Sequence, residues 1–127
     1  MNQLVYFEAF LTLATQQLDT LIKFYTGLLG EAPKAYMSNS YAEFQLSGLK
    51  LGIFKPQAAN FPEFAAPSSG AMSLCLEVQD LEAAIAHLTH LGYPPPGTPT
   101  TASHGREIYA YDPDGNRLIL HQGNLNL

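Results

Sequence analysis

The sequence predicts an α+β fold in which one βαβββ module is written twice. Three observations carry that prediction. Two stretches of helical apolar spacing, each closed by a glycine, recur at a constant offset of 63 residues. Each is preceded by one short strand-like stretch and followed by three more. The offset is half of a 127-residue chain, so the repeat accounts for the whole length.

The first module opens at residues 4–14. Val5, Phe7, Ala9, Leu11 and Leu13 share one face and Tyr6, Glu8, Phe10 and Thr12 the other, which is strand periodicity. In LDTLIKFYTGLLG, Leu18, Leu21, Ile22, Tyr25, Leu28 and Leu29 fall on one helical stripe. Asp19 suits the first turn and Gly30 the stop. Strands are predicted at 32–37, 41–46 and 49–54, with Ser38-Asn39 and Ser47-Gly48 as the turns. Residues 55–70 carry Pro56, Pro62 and Pro67 and read as a connector with Phe61 and Phe64 as its bulky anchors.

The second module repeats the order. Residues 71–78 are strand-like. DLEAAIAHLTHLG is a helix with Asp80 as N-cap, a stripe of Leu81, Ala84, Ile85, Leu88 and Leu91, and Gly92 as its end. Pro94, Pro95 and Pro96 force an extended loop. Strands are predicted at 98–102, 106–111 and 116–122, the last two joined by a tight turn at Asp112-Pro113-Asp114-Gly115. The domain organisation expected is one domain over 1–127: module one about 1–55, connector 56–70, module two 71–127.

Composition limits the function. Hydrophobic residues make up 46% of the chain and charged ones 13%, enough apolar matter for a packed core. A formal net charge of -5 without a Lys/Arg cluster argues against nucleic acid or an anionic membrane as partner. Cys75 is the single cysteine, so no intrachain disulfide and no thiolate zinc cluster is available. The opening residues lack a signal-peptide pattern, and no apolar run reaches the roughly 18 residues of a membrane span. The expectation is a cytoplasmic protein.

LTLATQQLDTLIKFYTGLLG resembles the opening strand and helix of the vicinal oxygen chelate superfamily, the group of glyoxalases, fosfomycin-resistance and bleomycin-resistance proteins. MSLCLEVQDLEAAIAHLTHLG resembles the opening of that family's second module, and IYAYDPDGNRLILHQGNL its closing hairpin. The resemblance spans nearly the whole chain and is nearest the fosfomycin and bleomycin branches. It implies a cup-shaped mixed sheet with helices outside, ligand and metal inside, and a homodimer. It also implies four ligand positions, which fall on Phe10, Gly52, Ser73 and Ile119. Three of these have no side-chain donor atom, and a neutral serine is a weak ligand. A divalent site needs several imidazole or carboxylate groups at about 2.0–2.6 Å. No metal is therefore expected at those positions, and no cofactor. A register slip of one would offer Ala9, Leu11, Leu74 and Leu118 instead, which are no better.

Counting in twos from those anchors gives an inward set. The candidate ligand-binding residues are Glu8, Phe10, Thr12, Glu43, Phe54, Ser73, Cys75, Glu107, Tyr109, Ile119 and His121. Tyr41, Gln45, Lys50, Glu77, Tyr111 and Arg117 share the same parity. Phe44, Leu46, Leu51, Ile53, Leu74, Leu76, Val78, Ile108, Leu118 and Leu120 point the other way, under the helices. Glu107 and Tyr109 match positions where fosfomycin-type relatives place substrate-binding hydroxyls. Plainer readings stand beside these. Glu8 and Thr12 suit solvated or ordinary strand positions, Glu107 and Tyr109 an exposed strand edge, and His121 a pocket rim. Cys75 suits a small buried packing residue. His87 and His90 read as a solvated helix face, His104 as an exposed loop residue, and Asp112 and Asp114 as turn residues.

An aromatic inner face with a few acids suits a flat or cationic organic molecule held by stacking. The first expectation is thus a metal-free, bleomycin-resistance-like binder of a small aromatic or cationic molecule. The alternative is a metal-dependent lyase, thiol transferase or dioxygenase with ligands relocated to Glu8, Glu43, Glu107 and His121. A third, weaker option is a regulatory or scaffolding module that uses the fold as a dimer surface.

Overall fold

The computed structural model describes residues 3–66 and 70–124. Pro67 of the predicted connector lies outside them. The chain divides into two compact units, Met1–Ala65 and Ala66–Leu127.

In the first unit the apolar stripe of LDTLIKFYTGLL folds as helix α1, Leu18–Leu29. Leu18, Leu21, Phe24 and Tyr25 are buried along it; Phe24 was not on the predicted stripe. Thr15 prepares the start, its hydroxyl accepting the Gln17 N–H at 3.0 Å. Gly30 ends the helix in the left-handed region. The strands are β1 Leu11–Ala14, β2 Ala35–Met37, β3 Tyr41–Leu46 and β4 Leu49–Phe54. They form one sheet in the order β1-β4-β3-β2, with β1 parallel to β4 and the rest antiparallel. Helix α1 packs on β3 and β4. Tyr25, Phe44, Leu21, Leu51 and Ile53 are fully enclosed between them, each such side chain stabilising the fold by about 1.5–3 kcal/mol.

The second unit repeats the plan with β5 Leu74–Glu77, α2 Leu81–Leu91, β6 Thr100–Ala102, β7 Gly105–Tyr111 and β8 Arg117–Gly123. The sheet order is β5-β8-β7-β6, again with the opening strand parallel to the last. Asp80 caps α2 by accepting the Ala83 N–H at 3.0 Å, as expected of that residue type. Leu81, Leu88, Leu118 and Leu120 are fully enclosed under α2. The tight turn forms as the sequence indicates, the Gly115 N–H donating to the Asp112 carbonyl at 2.9 Å. Asp112 is buried because its carboxylate serves the turn, accepting the N–H groups of Asp114 and Asn116 and the Asn116 amide.

Several predicted bounds are corrected. The strand expected over 4–14 is confined to Leu11–Ala14, because its ladder partner in β4 begins to pair with it at Leu51. The strands expected over 32–37 and 98–102 shrink to Ala35–Met37 and Thr100–Ala102, just past Pro33 and Pro99, which have no N–H to give a ladder. The strand expected over 71–78 shrinks to Leu74–Glu77, the length that β8 pairs with. The connector contains a 3-10 helix, Ala58–Phe64, with Pro62 inside it. Its Phe64 ring meets Phe54 edge-on, centroids 5.3 Å apart.

Candidate functional site

Each sheet has one face under its helix and one face free of it, and strand register decides which side chains share the latter. In the first unit Thr12 pairs with Gly52 and Gly52 with Glu43, while Ala14 and Tyr41 both pair with Phe54. Thr12, Glu43 and Phe54 therefore lie on one face, with Tyr41 beside them. Lys50 organises this face. Its ammonium donates to Glu8 at 2.6 Å, lies 3.5 Å from Glu43 and sits 5.4 Å from the centre of the Phe10 ring. The Glu8 hydrogen bond, above all, raises the Lys50 pKa. Tyr41 donates to Glu43 at 2.8 Å, and burial first, then that bond, pushes its hydroxyl pKa up.

In the second unit Cys75 pairs with Ile119 and Ile119 with Tyr109; Glu77 pairs with His121 and His121 with Glu107. Ser73, just before β5, accepts a hydrogen bond from Arg117 Nε at 2.9 Å. One face thus carries Ser73, Cys75, Glu77, Glu107, Tyr109, Ile119 and His121. Beside it lies a pocket of about 370 Å³ lined by Thr100, Glu107, Tyr109, Tyr111 and the Pro96–Thr98 turn. Cys75 is exposed, which corrects its reading as a buried packing residue: the odd positions of β5 face away from α2. What burial it has, then Glu77 and Glu107, push its thiol pKa up.

The family model of the glyoxalase/bleomycin resistance protein/dioxygenase superfamily matches residues 6–120. The chain belongs to that superfamily. No curated protein matches it in sequence. Among solved structures, a glyoxalase/bleomycin resistance protein from Catenulispora acidiphila is similar at 24% identity and a TM-score of 0.68, over 94% of this chain and 100% of that one. A bleomycin-binding protein complexed with bleomycin is similar at 22% identity and 0.66, over 94% and 100%. A fosfomycin resistance protein from Listeria monocytogenes is similar at 21% identity and 0.72, over 96% and 94%. Likeness at this level shows the shared fold.

The four positions that the resemblance assigns to metal ligands carry no imidazole or carboxylate. A Cβ at Gly52 would come within 2.9 Å of the Tyr41 hydroxyl, so that position is filled by a ring. Phe10 lies against the Lys50 ammonium and Ser73 against the Arg117 guanidinium. Ile119 offers only carbon. Two of the four positions are therefore next to the protein's own cations, which repel a divalent ion.

Of the relocated ligands weighed in the sequence, Glu8 and Glu43 are both engaged by Lys50 in the first unit, and Glu107 and His121 are paired across β7 and β8 in the second. Sequence reasoning missed His104. It is exposed, as expected, in the two-residue turn between β6 and β7, but its Nδ1 lies 2.9 Å from His121 Nε2. A signal existed in retrospect: Ser103-His104-Gly105 is a hairpin turn, and a hairpin returns its tip to the neighbouring strand.

Proposed function

We propose that the chain binds a small aromatic or cationic organic molecule on the helix-free sheet face, without a metal at the superfamily's four ligand positions. The observation that carries this is the pocket in the second unit, which Tyr109, Tyr111 and Glu107 line together. Tyrosine rings supply flat contact area, and a carboxylate selects a cation. Its volume, about 370 Å³, falls in the range that suits drug-sized ligands. Bleomycin, bound by a protein of similar fold, belongs in the test panel as well. Ser73, Cys75, Ile119 and His121 extend that face of the second unit and are proposed as secondary contacts; Glu8, Phe10, Thr12, Glu43 and Phe54 share the corresponding face of the first unit.

The test is a thermal-shift screen of planar aromatic cations, neutral aromatics and bleomycin, followed by calorimetry. A hit weakened at least tenfold by Tyr109→Ala supports the reading. A panel without a hit, or hits indifferent to Tyr109→Ala, overturns it. We propose further that the protein is a cytoplasmic homodimer. A free thiol at Cys75 suits a reducing compartment, and no helix among the described residues is long and apolar enough to cross a membrane. Leu4, Val5 and Phe7 are 83%, 94% and 101% exposed, an apolar run that a second copy would cover. Light scattering on the eluted protein distinguishes the 13.8 kDa chain from twice that mass.

A further inference from the structure

We infer that His104, Glu107 and His121 form a binding site for one divalent cation of the zinc type, away from the superfamily's own metal positions. One donor atom from each of the three lies within 4.8 Å of the others. Zinc–ligand distances of about 2.0–2.2 Å in tetrahedral geometry set donors roughly 3.3 Å apart. Small side-chain rotations close that difference. Two imidazoles and one carboxylate, with a fourth place left for water, are a donor set that suits zinc, and also nickel or cobalt.

Three further features support it. His121 Nδ1 is hydrogen-bonded to the Glu77 carboxylate, which fixes the proton on Nδ1 and leaves the Nε2 lone pair facing His104. A carboxylate behind a histidine is the usual outer support of a metal-bound imidazole. His104 Nδ1 and His121 Nε2 are 2.9 Å apart and the two rings lie with centroids 5.0 Å apart, so the two donor atoms are already neighbours and ring rotation about the side-chain bonds is all that is needed to aim them at one ion. Backbone pairing brings them together: Glu107 and His121 are direct ladder partners, and Ala102 pairs with Gly105 across the turn that carries His104. All of these residues belong to the second unit, so the site is complete within it.

The test is calorimetry of chelator-treated full-length protein with Zn²⁺ alone, joined to visible absorption on Co²⁺ titration. One ion per chain is expected. His104→Ala, Glu107→Gln and His121→Asn each weaken it at least tenfold and remove the tetrahedral Co²⁺ bands. Glu77→Gln, which leaves all three ligands, weakens it about 10- to 100-fold. His90→Gln, on the exposed face of α2, leaves it unchanged. Far-UV circular dichroism without metal checks that each variant is folded. His104 is an exposed turn residue, so His104→Ala decides the matter even if His121→Asn unfolds. Less than one ion per chain, or wild-type affinity in folded His104→Ala, overturns the inference.

Discussion

Gly105 is the position with least freedom. Its φ is +137°, and a Cβ there would meet the Gln122 carbonyl oxygen at 2.2 Å. Backbone strain and a backbone clash add at one residue, so Gly105→Ala is expected to destabilise the fold by about 2–4 kcal/mol in urea unfolding. Cys75 gives a second prediction. Its thiol is exposed but its pKa is raised, by partial burial and then by Glu77 and Glu107. Only the thiolate is nucleophilic, so alkylation is slow at pH 7 and still accelerating above pH 9. Glu107→Gln removes one negative neighbour and speeds it at pH 8; an unchanged rate refutes the assignment. These residues also mark what could be read in advance. Glu107 and Tyr109 were reachable because side chains alternate on a strand, and parity needs only a count. His104 was not reachable by that count, because a turn residue has no parity; only the hairpin turn at Ser103-His104-Gly105 pointed to it.

The start of α2 was legible because the Asp80 capping signal is local, and the ends of both helices because Gly30 and Gly92 are local stops; α1 offers no such start signal, its N-cap Gln17 making no side-chain cap bond. Asp80→Ala removes the hydrogen bond to Ala83 and should cost about 1 kcal/mol, read as a lower urea midpoint with unchanged slope. Strand lengths were less legible, since a strand ends where its partner ends: the alternation of residues 4–10 runs on after the ladder with β4 has stopped. The 3-10 helix at Ala58–Phe64 was hidden because Pro62 reads as a breaker, although a proline early in a helical turn needs no N–H partner. Between elements, Arg106 on β7 forms a two-pronged pair with Glu82 in the first turn of α2, at 2.7 and 3.0 Å. That guanidinium holds the Glu82 carboxyl below its ordinary value. A carboxyl depressed by folding stabilises at pH above its unfolded value, about 4.3, and loses that contribution as pH falls through the lower folded value. The stability gap between wild type and Glu82→Gln should therefore be present at pH 7 and shrink as pH drops below about 4. A gap that widens in acid would contradict the pairing.

At the scale of the whole chain, each unit builds the same plan from its own core, and the two differ in what the helix-free face carries. On the first unit's face Lys50 engages both acids, Glu8 and Glu43. The second unit's face keeps Glu107 beside Tyr109 and Tyr111, with Glu77 bonded to His121 and Arg117 turned to Ser73 and the Gly70 carbonyl. On the proposed function, the Glu107 carboxylate in the tyrosine pocket, helped by a net charge of -5, attracts the cationic ligand. Long-range attraction of this kind is screened over about 10 Å at 0.1 M salt and 3 Å at 1 M, and it acts on association more than on residence. For a planar acridinium dye, stopped-flow association should slow several-fold between 0.02 and 0.5 M NaCl by order-of-magnitude reasoning, with dissociation little changed. A neutral aromatic of the same size should show no such slope. Glu107→Gln should flatten the dye's slope while leaving the neutral compound's rates alone. If the dye's association is equally fast at both salt levels, the carboxylate is not what selects the ligand, and stacking on Tyr109 and Tyr111 is left as the whole of the recognition.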